Sequence, residues 1–191
     1  MKKIIITFIL TIAVLSWAGF AQAQTFVVDP DYSSVMFRIQ HLMGYAVGLF
    51  QKFDGKIVVE EGTLSLKEME ITIGVGSLNT QNSRRDEDLR SDRFFEVEKY
   101  PQATFKTKKV EGDTITGDLT LHGVTKEVSL SYRFWGVGKD QYGRMKAALS
   151  LNGVINRRDF GITFDEKTDD GKWLLGDAVE VMIEVQGVEE K

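Results

Sequence analysis

Apolar and polar residues alternate with period two through most of this chain. In "VMFRIQH" Val35, Phe37 and Ile39 share one face, and Arg38 and Gln40 take the other. "EMEITIGV" sets Met69, Ile71, Ile73 and Val75 against Glu68, Glu70 and Thr72. The same division recurs in "TITGDLTLH" (114–122), "VSLSYRFW" (128–135) and "VEVMIEV" (179–185). Each is the pattern of a strand with one apolar and one wet face. The runs predict eight strands, near 32–41, 46–60, 63–76, 102–111, 113–122, 124–136, 144–155 and 173–188. Turn residues fall between them: Glu61-Gly62, Gly112-Asp113, His122-Gly123, Asp170-Gly171 and Gly143. Eight long antiparallel strands fit a closed up-and-down barrel, which removes the edges of an open sheet. A two-sheet sandwich fits the alternation equally well.

One stretch breaks the pattern. "RRDEDLRSDRFFEVEKYP", residues 84–101, opens with charge, brings Phe94 and Phe95 together, and ends at Pro101. Ser83 followed by Asp86 reads as a capping-box helix start, with acids in the first turn where the helix dipole favours them. Leu89 is the lone apolar residue inside the charged part, too few to make a core helix. Pro101 stops the helix before the next strand. The stretch is therefore expected to form a short helix between strands three and four. It would lie across one barrel end as a cap, aromatics inward and charges outward.

Composition narrows the partners. Lys2 and Lys3, the apolar run Ile4 to Phe20 and Ala21-Gln22-Ala23 form the three regions of an export signal. Residues 1–23 are expected to be cleaved before Gln24, leaving 24–191 as a single exported domain, periplasmic or, as the alternative, secreted. Without Lys2 and Lys3 the 24 basic residues become 22 against 28 acidic, a net of −6. That balance argues against nucleic acid, whose binding rests on phosphate neutralisation. The absence of cysteine excludes disulfides, thiol catalysis and thiolate metal sites. Two distant histidines make a poor start for a metal site, and no metal is expected.

Five segments together resemble the YceI-like family of exported bacterial lipid-binding barrels. They are "SSVMFRIQHL" (33–42), "GLFQKFDGKI" (48–57), "SLNTQNSRRDEDLRSDRFFEVEKYPQATF" (77–105), "GDLTLHGVTKEV" (117–128) and "RRDFGI" (157–162). The resemblance implies a lipocalin-like eight-stranded barrel enclosing a long apolar molecule, typically a polyisoprenoid or related chain. Two positions depart from the family's pattern: Ser33 stands where many members carry His, and Asp88 where the "RDEHL" form of the motif has His.

An eight-stranded barrel has room for one slender ligand or for its own side chains, and alternation alone does not choose between them. The resemblance favours a cavity. Its expected wall is Phe37, Ile39, Ile71, Ile73, Leu119, Leu130, Phe134, Leu149 and Val181, with Phe50, Phe94, Phe95, Phe105 and Phe160 at the aromatic positions. His41 shares the parity of Phe37 and Ile39, so it is a candidate for a polar head group near one end; a structural histidine is the alternative. His122 reads as a hairpin residue. Arg84, Arg85 and Arg158 are head-group candidates, weighed against structural pairing with neighbouring acids. No Gly-x-Ser-x-Gly elbow or phosphate-cradling glycine loop is present. The expected function is therefore non-enzymatic carriage of a polyisoprenoid, isoprenoid quinone or similar lipid, with no cofactor beyond that ligand. The rivals are a lipid-modifying enzyme on the same small barrel and a ligand-free envelope-stress protein. Exposed Phe94-Phe95 would point to a homodimer or a transient membrane contact.

Overall fold

A computed structural model describes residues 23–60 and 65–190. Apart from Ala23, the expected leader lies outside these residues, as does the Glu61-Gly62 turn. Eleven strands occur among the described residues: β1 (Ala23–Val28), β2 (Ser34–His41), β3 (Gly44–Phe50), β4 (Phe53–Glu60), β5 (Ser65–Gly74), β6 (Leu78–Asn79), β7 (Gln102–Glu111), β8 (Thr114–Leu121), β9 (Val124–Lys139), β10 (Met145–Asn156) and β11 (Leu175–Glu189). The helix α1 (Ser83–Arg90) stands between β6 and β7.

These strands make eight barrel staves. β1 and β2 are one stave, bent at the 3-10 turn Pro30–Tyr32, and both lie along β11: Val28 opposite Gly187 and Val35 opposite Ile183. β3 and β4 are likewise one stave, broken at Gln51-Lys52, pairing with β2 above and β1 below. β5, β7, β8, β9, β10 and β11 follow in order, each antiparallel to the last, and the β1–β11 pairing closes the ring. The closed barrel expected from the alternation is the fold; the sandwich is not.

Two details depart from the expectation. The strand Ala23–Val28 had no counterpart, because its short inward set, Phe26 and Val28, abuts the apolar leader and ends at Pro30. The single run expected over 46–60 is broken because the stave must turn from β2 onto β1.

The barrel's two ends differ. The end where β4 stops and β5 starts, which also holds the β7–β8 and β9–β10 connections, is filled by Phe26, Ile57, Val59, Ile115, Ala147 and Leu149, each essentially inaccessible to water. The other end is covered by α1, the chain following it, and the loop after β10.

Candidate functional site

The covered end begins with α1, whose N-cap is Asn82 rather than Ser83: the Asn82 side chain accepts from the Arg85 N–H at 3.1 Å. Asp86 therefore does not sit in a solvated first turn as expected. It folds inward, 8% exposed, and accepts from the Thr80 backbone N–H at 2.8 Å and the Thr80 hydroxyl at 2.6 Å. Arg85 donates to the same hydroxyl and to the Thr80 carbonyl, both at 2.8 Å. Arg90 donates to the Gly76 and Leu78 carbonyls at 2.8 and 2.6 Å. A helix whose one apolar side chain is Leu89 is thus held largely by hydrogen bonds to Thr80 and to the Gly76 and Leu78 carbonyls. Its apolar contribution comes just after it. Phe94 is buried and stacked on Phe164 at 4.7 Å, and Phe95 meets the edge of Phe50 at 6.3 Å.

Beneath this cap the side chains leave a cavity of about 240 Å³. Phe37 and Ile39 on β2, Phe50 on β3, Ile71 and Ile73 on β5, and Phe105 on β7 line it. Leu119 on β8, Leu130 on β9, Val181 on β11, and Phe94 and Phe95 from the cap complete the expected wall. Small inward residues keep it open: Ala46 and Gly48 on β3, and Ala103 on β7.

Three expected wall residues lie elsewhere. Leu149 faces inward but sits in the filled half, opposite Phe134 and Val185. Phe134 is half-buried against that same filled core, because β9 runs past the cavity to the far end. Phe160 belongs to the 3-10 turn Arg157–Phe160 and is buried under the cap beside Leu121 and Ile162. Among residues not anticipated, Val35, Leu121, Ile155 and Val179 extend the same period-two faces and were legible by continuation. Thr80, Ile162, Phe164 and Leu174 come from irregular segments with no period to reveal them.

The polar groups gather at the rim. His41 ends β2, paired with Gly44 and Leu175, and is exposed while lining the cavity. Asp88 also lines it and accepts from Arg93 at 2.9 Å; Arg93 in turn pairs with Glu166, joining α1 to the loop after β10. Of the head-group candidates, Arg85 lines the cavity but is committed to Thr80. Arg84 is exposed outside the cavity, with no ion pair among the described residues. Arg158 also lies outside it, bonded to Asp177 at 2.7 Å and to Asp165.

Its neighbour Arg157, which does line the cavity, is a buried scaffold. It donates to the Gly176, Ile162 and Phe164 carbonyls at 2.9, 2.7 and 2.9 Å, and to Asp177 at 2.8 Å. Burial pulls Arg157 below the usual guanidinium value, with Asp177 opposing. The two family departures also find places. Ser33 lies at the β1–β2 bend, donating to the Asp29 carbonyl at 2.8 Å and accepting from the Gln186 N–H at 3.0 Å, away from the cavity. Asp88 is at the cavity rim. His122 is outside the cavity. It forms a two-residue turn with Gly123, both in the left-handed region at φ 51° and 73°, and its Nδ1 lies 3.1 Å from the Phe160 carbonyl.

Chemically, this is a greasy chamber with a tied-down polar rim. Among the described residues no group of three or more His, Cys, Asp or Glu is placed to hold a metal ion.

Comparison with known proteins agrees with the geometry. A family model described as the YceI-like domain matches residues 26–187. "Protein YceI" of Salmonella arizonae is 40% identical over 202 aligned positions, covering 100% of both chains. The crystal structure of Campylobacter jejuni YceI protein is 35% identical with a TM-score of 0.67, over 75% of this chain and 85% of that one. At lower identity the fold still matches. A polyisoprenoid binding domain from Saccharophagus degradans, 15% identical, superposes with a TM-score of 0.65 over 86% of this chain and 98% of its own. The hooded eight-stave barrel, its rim and the motifs that build them all agree: this chain belongs to the YceI family.

Proposed function

We propose that the protein is a non-enzymatic carrier or reservoir that holds one long apolar molecule, a polyisoprenoid such as an isoprenoid quinone, in the periplasm after export. The observation that carries this is the cavity wall. A void of about 240 Å³ is several times the roughly 30 Å³ share of a water molecule, yet its walls offer almost no polar partners below the rim. Water needs two to four such partners, so the chamber suits hydrocarbon. At about 24 cal/mol per Å³, a cavity of this size costs on the order of 6 kcal/mol of packing, which an apolar occupant restores. Burying about 400 Å² of a chain gives on the order of 10 kcal/mol gross, reduced by the ordering of chain and ligand, so binding is micromolar or tighter. The polyisoprenoid-binding neighbour supports the ligand class by likeness of fold.

Binding rather than turnover is supported by the rim: Arg85, Asp88 and Arg157 are each committed to protein partners. Native mass spectrometry after gentle purification is expected to show co-purified or added isoprenoid held one to one. Ile73→Asp, which puts a carboxylate into the chamber, abolishes that uptake, whereas Glu184→Gln on the outer wall leaves it intact. Repeated recovery of ligand-free protein that takes up neither isoprenoid nor acyl chain sinks the reading.

A further inference from the structure

The corner joining β2 to β3 is Leu42-Met43, and it is built against local preference. Leu42 has φ 53°, the left-handed region where two-residue hairpins use Asn, Asp or Gly and where a bulky aliphatic residue is strained. The His122-Gly123 corner at the same end uses glycine for its second left-handed position. Nor is the strain at Leu42 repaid by burial: Leu42 is 44% exposed and Met43 is 100% exposed. Beyond the corner, Tyr45, Val47 and Leu49 point outward from β3, all exposed. Strain combined with exposed apolar side chains is costly to the folded state alone, so it marks a contact made outside the molecule.

The corner adjoins the cavity. The Leu42 N–H donates to the Leu174 carbonyl at 2.9 Å, and Leu174 and His41, on either side of that bond, both line the chamber. Next to Leu174 stands Trp173, 53% exposed, with the Lys167 ammonium 4.1 Å from its ring; the Arg38 guanidinium lies 4.6 Å from the Tyr45 ring. Beside the corner, β3 has no strand partner on its far edge from Gly44 to Gly48 among the described residues, and a Cβ at Gly44 would meet nothing within 4 Å. An apolar lip carrying Trp and Tyr, each with a cation beside it, therefore stands at an uncovered side of the chamber mouth.

We propose that this lip docks on a zwitterionic lipid bilayer, Leu42 and Met43 entering the acyl boundary while Tyr45, Trp173, Arg38 and Lys167 lie at headgroup level. Trp and Tyr favour that depth, and long basic side chains reach back to it. The bare β3 edge then meets headgroups and water, not hydrocarbon, so its backbone groups stay hydrogen-bonded. A second protein chain fits less well: a stable interface takes roughly 20–30 residues a side, and this lip carries a narrow corner and few large apolar side chains. Net negative charge, with Asp169 and Asp170 in the same loop as Trp173, disfavours an anionic surface. The proposal rests on the carrier reading in that a hydrophobic ligand must leave a membrane, and it places the membrane contact at the β2–β3 corner, not at the buried Phe94 and half-buried Phe95.

The test is flotation with phosphatidylcholine vesicles. The protein is expected to float, with little change between low and high salt. Leu42→Asn combined with Met43→Gly installs a favoured hairpin corner, so the fold is retained or stabilised while vesicle binding falls by about tenfold or more. Tyr142→Ser at the far end changes nothing. In protein without residues 1–23, which carry Trp17, brominated phosphatidylcholine quenches the tryptophan emission of Trp135→Phe but not of Trp173→Phe. Isoprenoid uptake from detergent solution by the corner variant stays normal, so loss of docking is distinguishable from failure of the carrier reading. The proposal is overturned if the corner variant floats like the parent. A parent that never floats, or that forms a dimer abolished by the corner variant, overturns it equally.

Discussion

The two halves of the barrel are written in the same alternating code and end in opposite states. Below, Phe26, Ile57, Val59, Ile115 and Leu149 meet at the centre and exclude water entirely. Above, Phe37, Ile39, Ile73 and Phe105 are nearly as buried or half-buried, yet they stand around a chamber. The difference lies in what reaches the middle. The lower half receives an additional inward Phe and Val from β1, tucked under the closing β1–β11 pairing. In the upper half, the β3 wall presents only Ala46 and Gly48 inward before Phe50. Packing density, not polarity pattern, separates filled core from open chamber here.

The largest effect that exposes this difference is on stability. Phe26→Ala removes a fully enclosed ring from a region that cannot collapse around the loss, and is expected to cost about 3–5 kcal/mol. Phe37→Ala deletes a ring that already has open space on one side, so it forfeits fewer contacts and is expected to cost about 2 kcal/mol or less. Urea denaturation of both variants checks the ranking. Equal losses would mean that the upper half is as tightly packed as the lower.

That ranking also marks how far the sequence was legible. Parity alone placed Phe37, Ile39, Ile71, Ile73, Leu119, Leu130 and Val181 on the inner face, and Pro101 with the charged stretch marked the cap. What parity cannot carry is height along a stave. Leu149 and Phe134 face inward as expected, but the bend at Pro30–Tyr32 and the break at Gln51-Lys52 decide which inward positions share a level. Arg85 and Arg158 stood as head-group candidates beside a structural alternative because their acceptors, the Thr80 hydroxyl and carbonyl and Asp177, include backbone groups or lie far along the chain. The loop residues Ile162, Phe164 and Leu174 have no period to betray them. Leu42-Met43 was visible as letters, but its left-handed backbone was not.

A second, smaller effect tests how the upper half stays open. A Cβ added at Gly48 would stand 2.4 Å from Phe37 Cζ, 2.7 Å from its Cε1 and 2.9 Å from Thr80 Cγ2. All three are side-chain atoms, so the ring moves and the wall need not. Gly48→Ala is therefore expected to push the Phe37 ring into the chamber and to weaken uptake of a long isoprenoid by about tenfold, with the fold intact. Adding Phe37→Ala to that variant restores uptake, because the displaced ring is gone. Titration of each variant with a fluorescent prenyl chain reads the effect. If Gly48→Ala binds like the parent, the glycine is not what keeps the chamber wide.

The smallest effect separates the means by which the halves are held. The lower half is closed by apolar contact; the loop after β10 is tied to the upper rim by the Arg157, Arg158, Asp165 and Asp177 pairs. Asp165 is held below the ordinary carboxylate value, first by its hydrogen bond from Arg158, with burial opposing. A depressed folded value means that the pair stabilises the loop above the unfolded value near 3.9, and that this contribution is lost as pH falls through the folded one. Because Asp165 is largely exposed, solvent screens the pair and the loss is small. Acidification below about pH 4 is therefore expected to loosen residues 161–174 while the lower core stays intact. The Asp165 carboxyl resonance should titrate at lower pH in the parent than in Arg158→Gln, where it returns towards the ordinary value. Identical midpoints in the two proteins would mean that the rim is not held by this pair, and that Arg157 alone anchors the loop.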